Sequence, residues 1–168
     1  MATGALVSVE EYLSTTYRPN CEYIDGILRQ KPMPTWDHAG IEYQLCQLIN
    51  AGFPGFEARP EVTIRLRMEK FLIPDVVVQD RQHIQKPYPT EPVYLCVEIR
   101  SPEDKVGSLL AKCEEYHEWG VETAWVIDPE TRHAWEYRRG QVPVEVPPDG
   151  FLTAPGISVS LAELFSVL

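Results

Sequence analysis

Val93-Tyr94-Leu95-Cys96-Val97-Glu98-Ile99-Arg100-Ser101-Pro102-Glu103-Asp104 is the stretch that decides how this chain folds. Its first eight residues alternate. Val93, Leu95, Val97 and Ile99 face one way, and Tyr94, Cys96, Glu98 and Arg100 the other, which is the period of a strand. Ser101-Pro102-Glu103-Asp104 then announces a helix. Serine suits the N-cap, proline the first helical position, and acids the positive end of the helix dipole. That helix is expected to run to Trp119 and stop at Gly120, burying Val106, Leu109, Leu110, Cys113 and His117. Glu98 is out of place in this pattern, because a carboxylate inside an apolar strand is costly unless paired or metal-bound.

Working upstream, Phe71–Val78 is nearly continuous in apolar residues, as in a buried strand, except at Pro74-Asp75. Polar, proline-bearing residues 79–92 form the loop between the two strands. Glu61–Arg67 alternates as a half-buried strand. Residues 37–51 place His38, Ile41, Leu45, Leu48 and Ile49 on one helical face, and Gly52, Pro54 and Gly55 end that helix. Ser8 opens a short helix over residues 8–17. Asp25-Gly26, between Cys21–Ile24 and Ile27–Arg29, is a strong hairpin signal.

Downstream, Thr123–Ile127 and His133–Tyr137 read as strands around the Asp128-Pro129 turn. Prolines make residues 140–156 an irregular arm, and residues 161–168 form a short terminal helix. The order helix, three strands, helix, strand implies an α/β fold: a mixed sheet flanked by helices. The expectation is one domain over residues 1–168, with a core at about 37–137, an N-terminal helix and hairpin at 8–30, and a C-terminal arm at 140–168.

The 168 residues are 44% hydrophobic and 24% charged, ordinary for a globular protein. No run approaches the ~20 apolar residues a membrane helix needs, and the N-terminus lacks the basic and apolar regions of a signal peptide. A cytoplasmic protein without a membrane partner is expected. Cys21, Cys46, Cys96 and Cys113 lack metal-ligand spacing and read as reduced thiols, and the histidines add none. The formal net charge of −10 excludes a global basic footprint for nucleic acid. Any such partner needs local basic groups or a bound cation. The cluster Arg59, Arg65, Arg67 and Lys70 is diluted by Glu57, Glu61 and Glu69 and reads as a solvated face. Trp119, Trp125 and Trp135 read as core.

Asp75 and Glu98 thus interrupt consecutive apolar strands. A divalent metal that activates water needs hard oxygen ligands converging from rigid elements, and a nearby cation helps stabilise developing phosphate charge. Arg100 shares the face of Glu98. As a permanently charged group it suits a phosphate clamp better than a proton acceptor. A buried ion pair with Arg100 or Lys112 would also satisfy Glu98. His38 is either a core or cap histidine or a site-lining group, and Glu22 either a surface carboxylate or a site residue.

These residues sit in a wider pattern. Tyr23-Ile24-Asp25-Gly26, His38, Ile73-Pro74-Asp75-Val76-Val77, Cys96–Asp104, Lys112-Cys113-Glu114-Glu115-Tyr116, Gly120-Val121 and Trp125-Val126-Ile127-Asp128-Pro129 resemble, in order, the Uma-type restriction endonuclease family of the PD-(D/E)XK superfamily. The resemblance covers roughly residues 8 to 137. It implies a restriction-endonuclease-like αβββαβ core, Mg²⁺ (with Mn²⁺ able to substitute) and phosphodiester hydrolysis, with DNA as partner.

Carried over by position, Asp75 and Glu98 are the metal-binding acids, and the Ile99 carbonyl is an added ligand. The superfamily lysine would fall at Arg100. In the Uma-type group it has moved to the next helix, here Lys112, with Tyr116 one turn further on. The expected catalytic set is therefore Asp75, Glu98 and Lys112, supported by Arg100, His38, Glu22 and Tyr116. A homodimer would suit cleavage of both strands. Two rival readings stay open: an inactive nuclease-fold binding or regulatory module, and a phosphodiesterase acting on RNA or nucleotides.

Overall fold

The computed structural model describes residues 5–168. It opens with α1 (Val9–Ser14), capped by the Ser8 side chain, and then β1 (Cys21–Ile24) and β2 (Ile27–Gln30). Asp25 and Gly26 both take positive φ, as a tight two-residue hairpin turn requires. There follow α2 (Trp36–Gly52), β3 (Phe56–Pro60), β4 (Ile64–Arg67), β5 (Lys70–Leu72), β6 (Val76–Asp80) and β7 (Leu95–Ile99). The chain closes with α3 (Val106–Trp119), β8 (Thr123–Asp128), β9 (His133–Arg138), β10 (Val144–Glu145), β11 (Phe151–Ala154), β12 (Ile157–Ser160) and α4 (Leu161–Leu164).

The main sheet has the order β10-β9-β8-β7-β6-β3, and only β7–β8 is parallel. A side sheet, β2-β1-β5-β4, stands beside it. One face of the main sheet buries Val76, Val78, Val97, Ile99 and Trp125 against Ile41, Leu45 and Ile49 of α2, with β11, β12 and α4 completing that layer. The other face buries Val77, Cys96, Ala124 and Val126 against Leu109, Cys113 and Tyr116 of α3. This is the expected mixed sheet flanked by helices, and the order α2, β3, β6, β7, α3, β8 is the expected αβββαβ core.

Four local expectations are corrected. Phe71–Val78 is not one strand. Pro74 lacks an amide hydrogen and interrupts pairing, and the chain crosses there from the side sheet (β5) to the main sheet (β6). The first core strand is β3, not Glu61–Arg67, because Glu61 takes a left-handed φ of 53° and turns the chain into the side sheet. The helix after β7 starts at Val106, not at Ser101. The Asp104 carboxylate accepts from the Ser101 amide and its own amide donates to the Ser101 carbonyl, so the cap-like residues close a turn instead. Residues 140–156 are less irregular than their prolines suggest, since β11 and β12 form a hairpin turning at Pro155-Gly156, with φ of 79° at the glycine.

Elsewhere the expected elements form. Gly120, at φ 122°, ends α3 by donating to Tyr116 and His117. The α1 helix is shorter than residues 8–17. Trp125 is fully buried, and Trp119 and Trp135 are half-buried. All four cysteines are free thiols, three of them buried. Arg67 pairs with Asp25, Lys70 with Glu115 and Arg59 with Glu57, while Arg65 donates to the Arg67 and Met68 carbonyls and lies over the Phe71 ring. Among the described residues no helix is long and apolar enough to cross a membrane.

Candidate active site

The crossing from side sheet to main sheet puts a polar segment in the interior. Its backbone groups need partners there, and charged side chains supply them. The Ile73 amide donates to Glu22 Oε1 at 2.9 Å, and the Ile73 carbonyl accepts from Lys31 Nζ at 2.8 Å. The Asp75 carbonyl accepts from the Glu61 amide at 3.0 Å. The break that Pro74 makes in the strand thus gathers Glu22, Lys31 and Glu61 around Asp75.

The register of β6 and β7 does the rest. Val76 faces Val97, and one step further along the same antiparallel register sets Asp75 opposite Glu98. The Asp75 and Glu98 side chains are both buried, at 4% exposure in each case. Asp75 Oδ1 accepts from Lys31 Nζ at 2.8 Å, and Oδ2 accepts from the Ile99 amide at 2.6 Å, with His38 Nε2 3.4 Å away. Burial works against its charge. The His38 contact and the Lys31 ammonium outweigh burial and hold the Asp75 carboxyl well below the usual carboxylate range.

Glu98 behaves oppositely. Burial, with the nearby Asp75 charge, pushes its pKa up to about 7, against the pull of Lys112. Glu98 Oε1 lies 2.9 Å from Lys112 Nζ and accepts from the Tyr116 hydroxyl. Lys112 also lies 2.7 Å from Glu22 Oε1, so one ammonium serves two buried carboxylates. Lys112 and Tyr116 are one turn apart on α3, the spacing that lets both reach Glu98. Glu22 Oε2 accepts from both Nε (2.9 Å) and a terminal nitrogen (2.7 Å) of Arg29. Glu22 is therefore a buried hub rather than a surface carboxylate.

Of the expected site residues, Asp75, Glu98, Lys112, Tyr116, Glu22 and His38 come together. Arg100 does not join them. Its guanidinium donates to Glu130 at 2.5 Å, Asp128 at 3.3 Å and the Asp104 carbonyl at 3.1 Å. Three further residues enter that the sequence reading did not single out: Lys31, Glu42 and Glu61. Oxygens of Glu42, Glu61 and Asp75 lie within 4.8 Å of one another, a set that does not include Glu98. Burial, then the Glu61 and Asp75 charges, push Glu42 up to about 7. A signal for Glu42 was present, since it lies four residues after His38 and shares its helix face.

All of the gathered groups except the fully buried Tyr116 line one cleft of about 890 Å³, with Tyr17, Arg18 and Arg29 among its other lining residues. The donor set fits a hard divalent cation. It consists of carboxylates and backbone oxygen, without thiols. Glu22, Glu42, Glu61, Asp75 and Glu98 outnumber Lys31, Lys112 and Arg29, leaving negative charge to balance. Among the described residues, Glu42 Oε1 is buried without a hydrogen-bond partner, as an oxygen awaiting a ligand would be.

Comparison with known proteins bears on the fold and the family. A crystal structure of a putative nuclease belonging to DUF820, from Anabaena variabilis, superposes with a TM-score of 0.83 at 23% identity, covering 96% of this chain and 98% of that one. At that identity the likeness establishes the fold. No functionally curated protein matches the sequence. The model of the Uma2 family, described as "Putative restriction endonuclease", matches residues 9–163, almost the whole chain, and the protein therefore belongs to that family.

Proposed function

We propose that the protein is a metal-dependent endonuclease that hydrolyses phosphodiester bonds in DNA. The observation that carries this reading is the placing of two buried carboxylates, Asp75 and Glu98, opposite each other at the mouth of two strands, with the Lys112 ammonium on one of them. Asp75 and Glu98, with the Ile99 carbonyl, would hold Mg²⁺ or Mn²⁺, and Glu42 and Glu61 extend the oxygen set around Asp75. A divalent cation there lowers the pKa of bound water and neutralises phosphate charge.

The chain's own residues prepare that chemistry. The Ile99 amide and His38 fix the Asp75 carboxylate. Glu22 and Glu98 hold Lys112 charged, ready to stabilise the extra negative charge that builds up on the phosphoryl oxygens during attack. Tyr116 orients Glu98. Arg18 and Arg29 both line the cleft, Arg29 46% exposed and paired with Glu22. Arg18, with the bound cation, would supply the local positive charge that a chain of net charge −10 needs at its substrate site.

The test is cleavage of supercoiled plasmid with Mg²⁺ or Mn²⁺. Nicking by the unaltered protein that disappears in EDTA and in Asp75→Ala is expected. Failure of the unaltered protein to cut, or equal cutting by Asp75→Ala, would refute the proposal. Cleavage of RNA but not DNA under the same conditions would move the substrate while keeping the chemistry.

A further inference from the structure

Lys31 has a place that its sequence surroundings do not explain. It follows β2 directly and leads into Pro32-Met33-Pro34, an exposed connection, yet its side chain is only 11% exposed. Its ammonium has three hydrogens to donate. Its recorded partners are three oxygens: Glu61 Oε1, Asp75 Oδ1 and the Ile73 carbonyl, each at 2.8 Å. Two carboxylates and one backbone carbonyl around a compact charge form the coordination shell of a cation, here supplied by the chain itself. Two of those residues, Glu61 and Asp75, belong to the Glu42–Glu61–Asp75 set, and the third carboxylate of that set, Glu42, keeps one oxygen buried and unpartnered.

We infer that Lys31 is a tethered competitor for the divalent cation: metal binds by exchange, displacing the Lys31 ammonium from Asp75 and Glu61. This rests on the metal-dependent reading above and adds a control on metal affinity to it. The Lys31 ammonium lies 2.8 Å from both Asp75 Oδ1 and Glu61 Oε1, and a unit charge left beside a metal opposes its binding at such range. Lys31 can leave. Its attachment point is irregular backbone beside the open cleft, and Glu61 is 33% exposed, so the displaced ammonium has solvent within reach. Lys112, by contrast, is attached in the middle of α3 and lies between Glu22 and Glu98.

The experiment is calorimetric titration of the metal-free full chain with Mn²⁺ alone, for the unaltered protein, Lys31→Met and Lys31→Arg. The neutral variant is expected to bind Mn²⁺ at least about tenfold more tightly. The arginine variant, which keeps the charge, should stay near the unaltered protein. Thermal unfolding checks that each variant is folded, and Lys31→Gln, expected to behave as Lys31→Met, replaces it if it is not. Equal or weaker binding by the folded neutral variants would overturn the displacement while leaving the metal site in place. No Mn²⁺ binding by any of the proteins would overturn the metal-dependent reading and this inference with it.

Discussion

The cleft holds two lysines on buried carboxylates, and the two arrangements differ in kind. On one side, Lys112 reaches Glu22 and Glu98 from the interior of a 14-residue helix. On the other, Lys31 reaches Asp75 and Glu61 from a connection at the edge of the side sheet. The carboxylates differ as well. Asp75 has an amide and a histidine besides its lysine, and its charge is secure. Glu98 shares one ammonium with Glu22 and has a tyrosine, and burial raises its pKa to about 7. The same pair of functional groups thus makes a fixed element of machinery on the helix side and an exchangeable counter-ion on the loop side. What separates the two is the backbone behind each lysine, a helix interior for Lys112 and irregular chain for Lys31.

Substitutions can break that contrast. The largest effect belongs to the residue both readings share. Asp75→Ala should lower plasmid cleavage by about a thousandfold, the scale of losing the principal electrostatic support of a transition state, and should abolish Mn²⁺ binding in calorimetry. Next comes Lys112→Met, which leaves Glu22 and Glu98 buried with one partner fewer. A loss of about 3 kcal/mol in denaturant unfolding is expected, with cleavage down by about a hundredfold. Lys31→Met should cost less, about 2 kcal/mol in EDTA, because Asp75 keeps the Ile99 amide and His38. Saturating Mn²⁺ stabilises every variant that binds it, but it should close the gap to the unaltered protein only for Lys31→Met, because only there are the lost ion pairs ones that metal binding breaks anyway. If metal rescued both lysines equally, the two sides would not differ. The smallest effect is expected for Tyr116→Phe. It removes one hydrogen bond to Glu98 and should cost about 1 kcal/mol of stability, with the plasmid assay reduced by less than tenfold.

How legible this was in the sequence depends on how local each feature is. The hairpin at Asp25-Gly26, the α2 helix, the β7 strand and the Gly120 stop are written in adjacent residues, and they fold as their patterns suggest. Asp75 and Glu98 stood out because each breaks an apolar run. Lys112 and Tyr116 followed from the family pattern, and helix spacing explains why they converge. The split of Phe71–Val78 between two sheets was not legible as such. Pro74 marked an interruption, but which strands pair on either side of it is decided by contacts far away in the chain. Lys31 and Glu61 were missed for the same reason. One sits before a proline in an apparent loop, and the other looked like part of an alternating strand until its positive φ turned it inward. Ser101–Asp104 misled because the side-chain chemistry that caps a helix also closes a turn.

The most direct test of the account is a crystal of the full chain grown or soaked with Mn²⁺ and measured at the manganese absorption edge. The account predicts an anomalous peak in contact with the Asp75 carboxylate, inside the cleft between β6, β7 and α2, with Lys31 Nζ withdrawn from Asp75 and Lys112 still on Glu98. A cleft with no peak at millimolar Mn²⁺ and Lys31 still seated on Asp75 would contradict it.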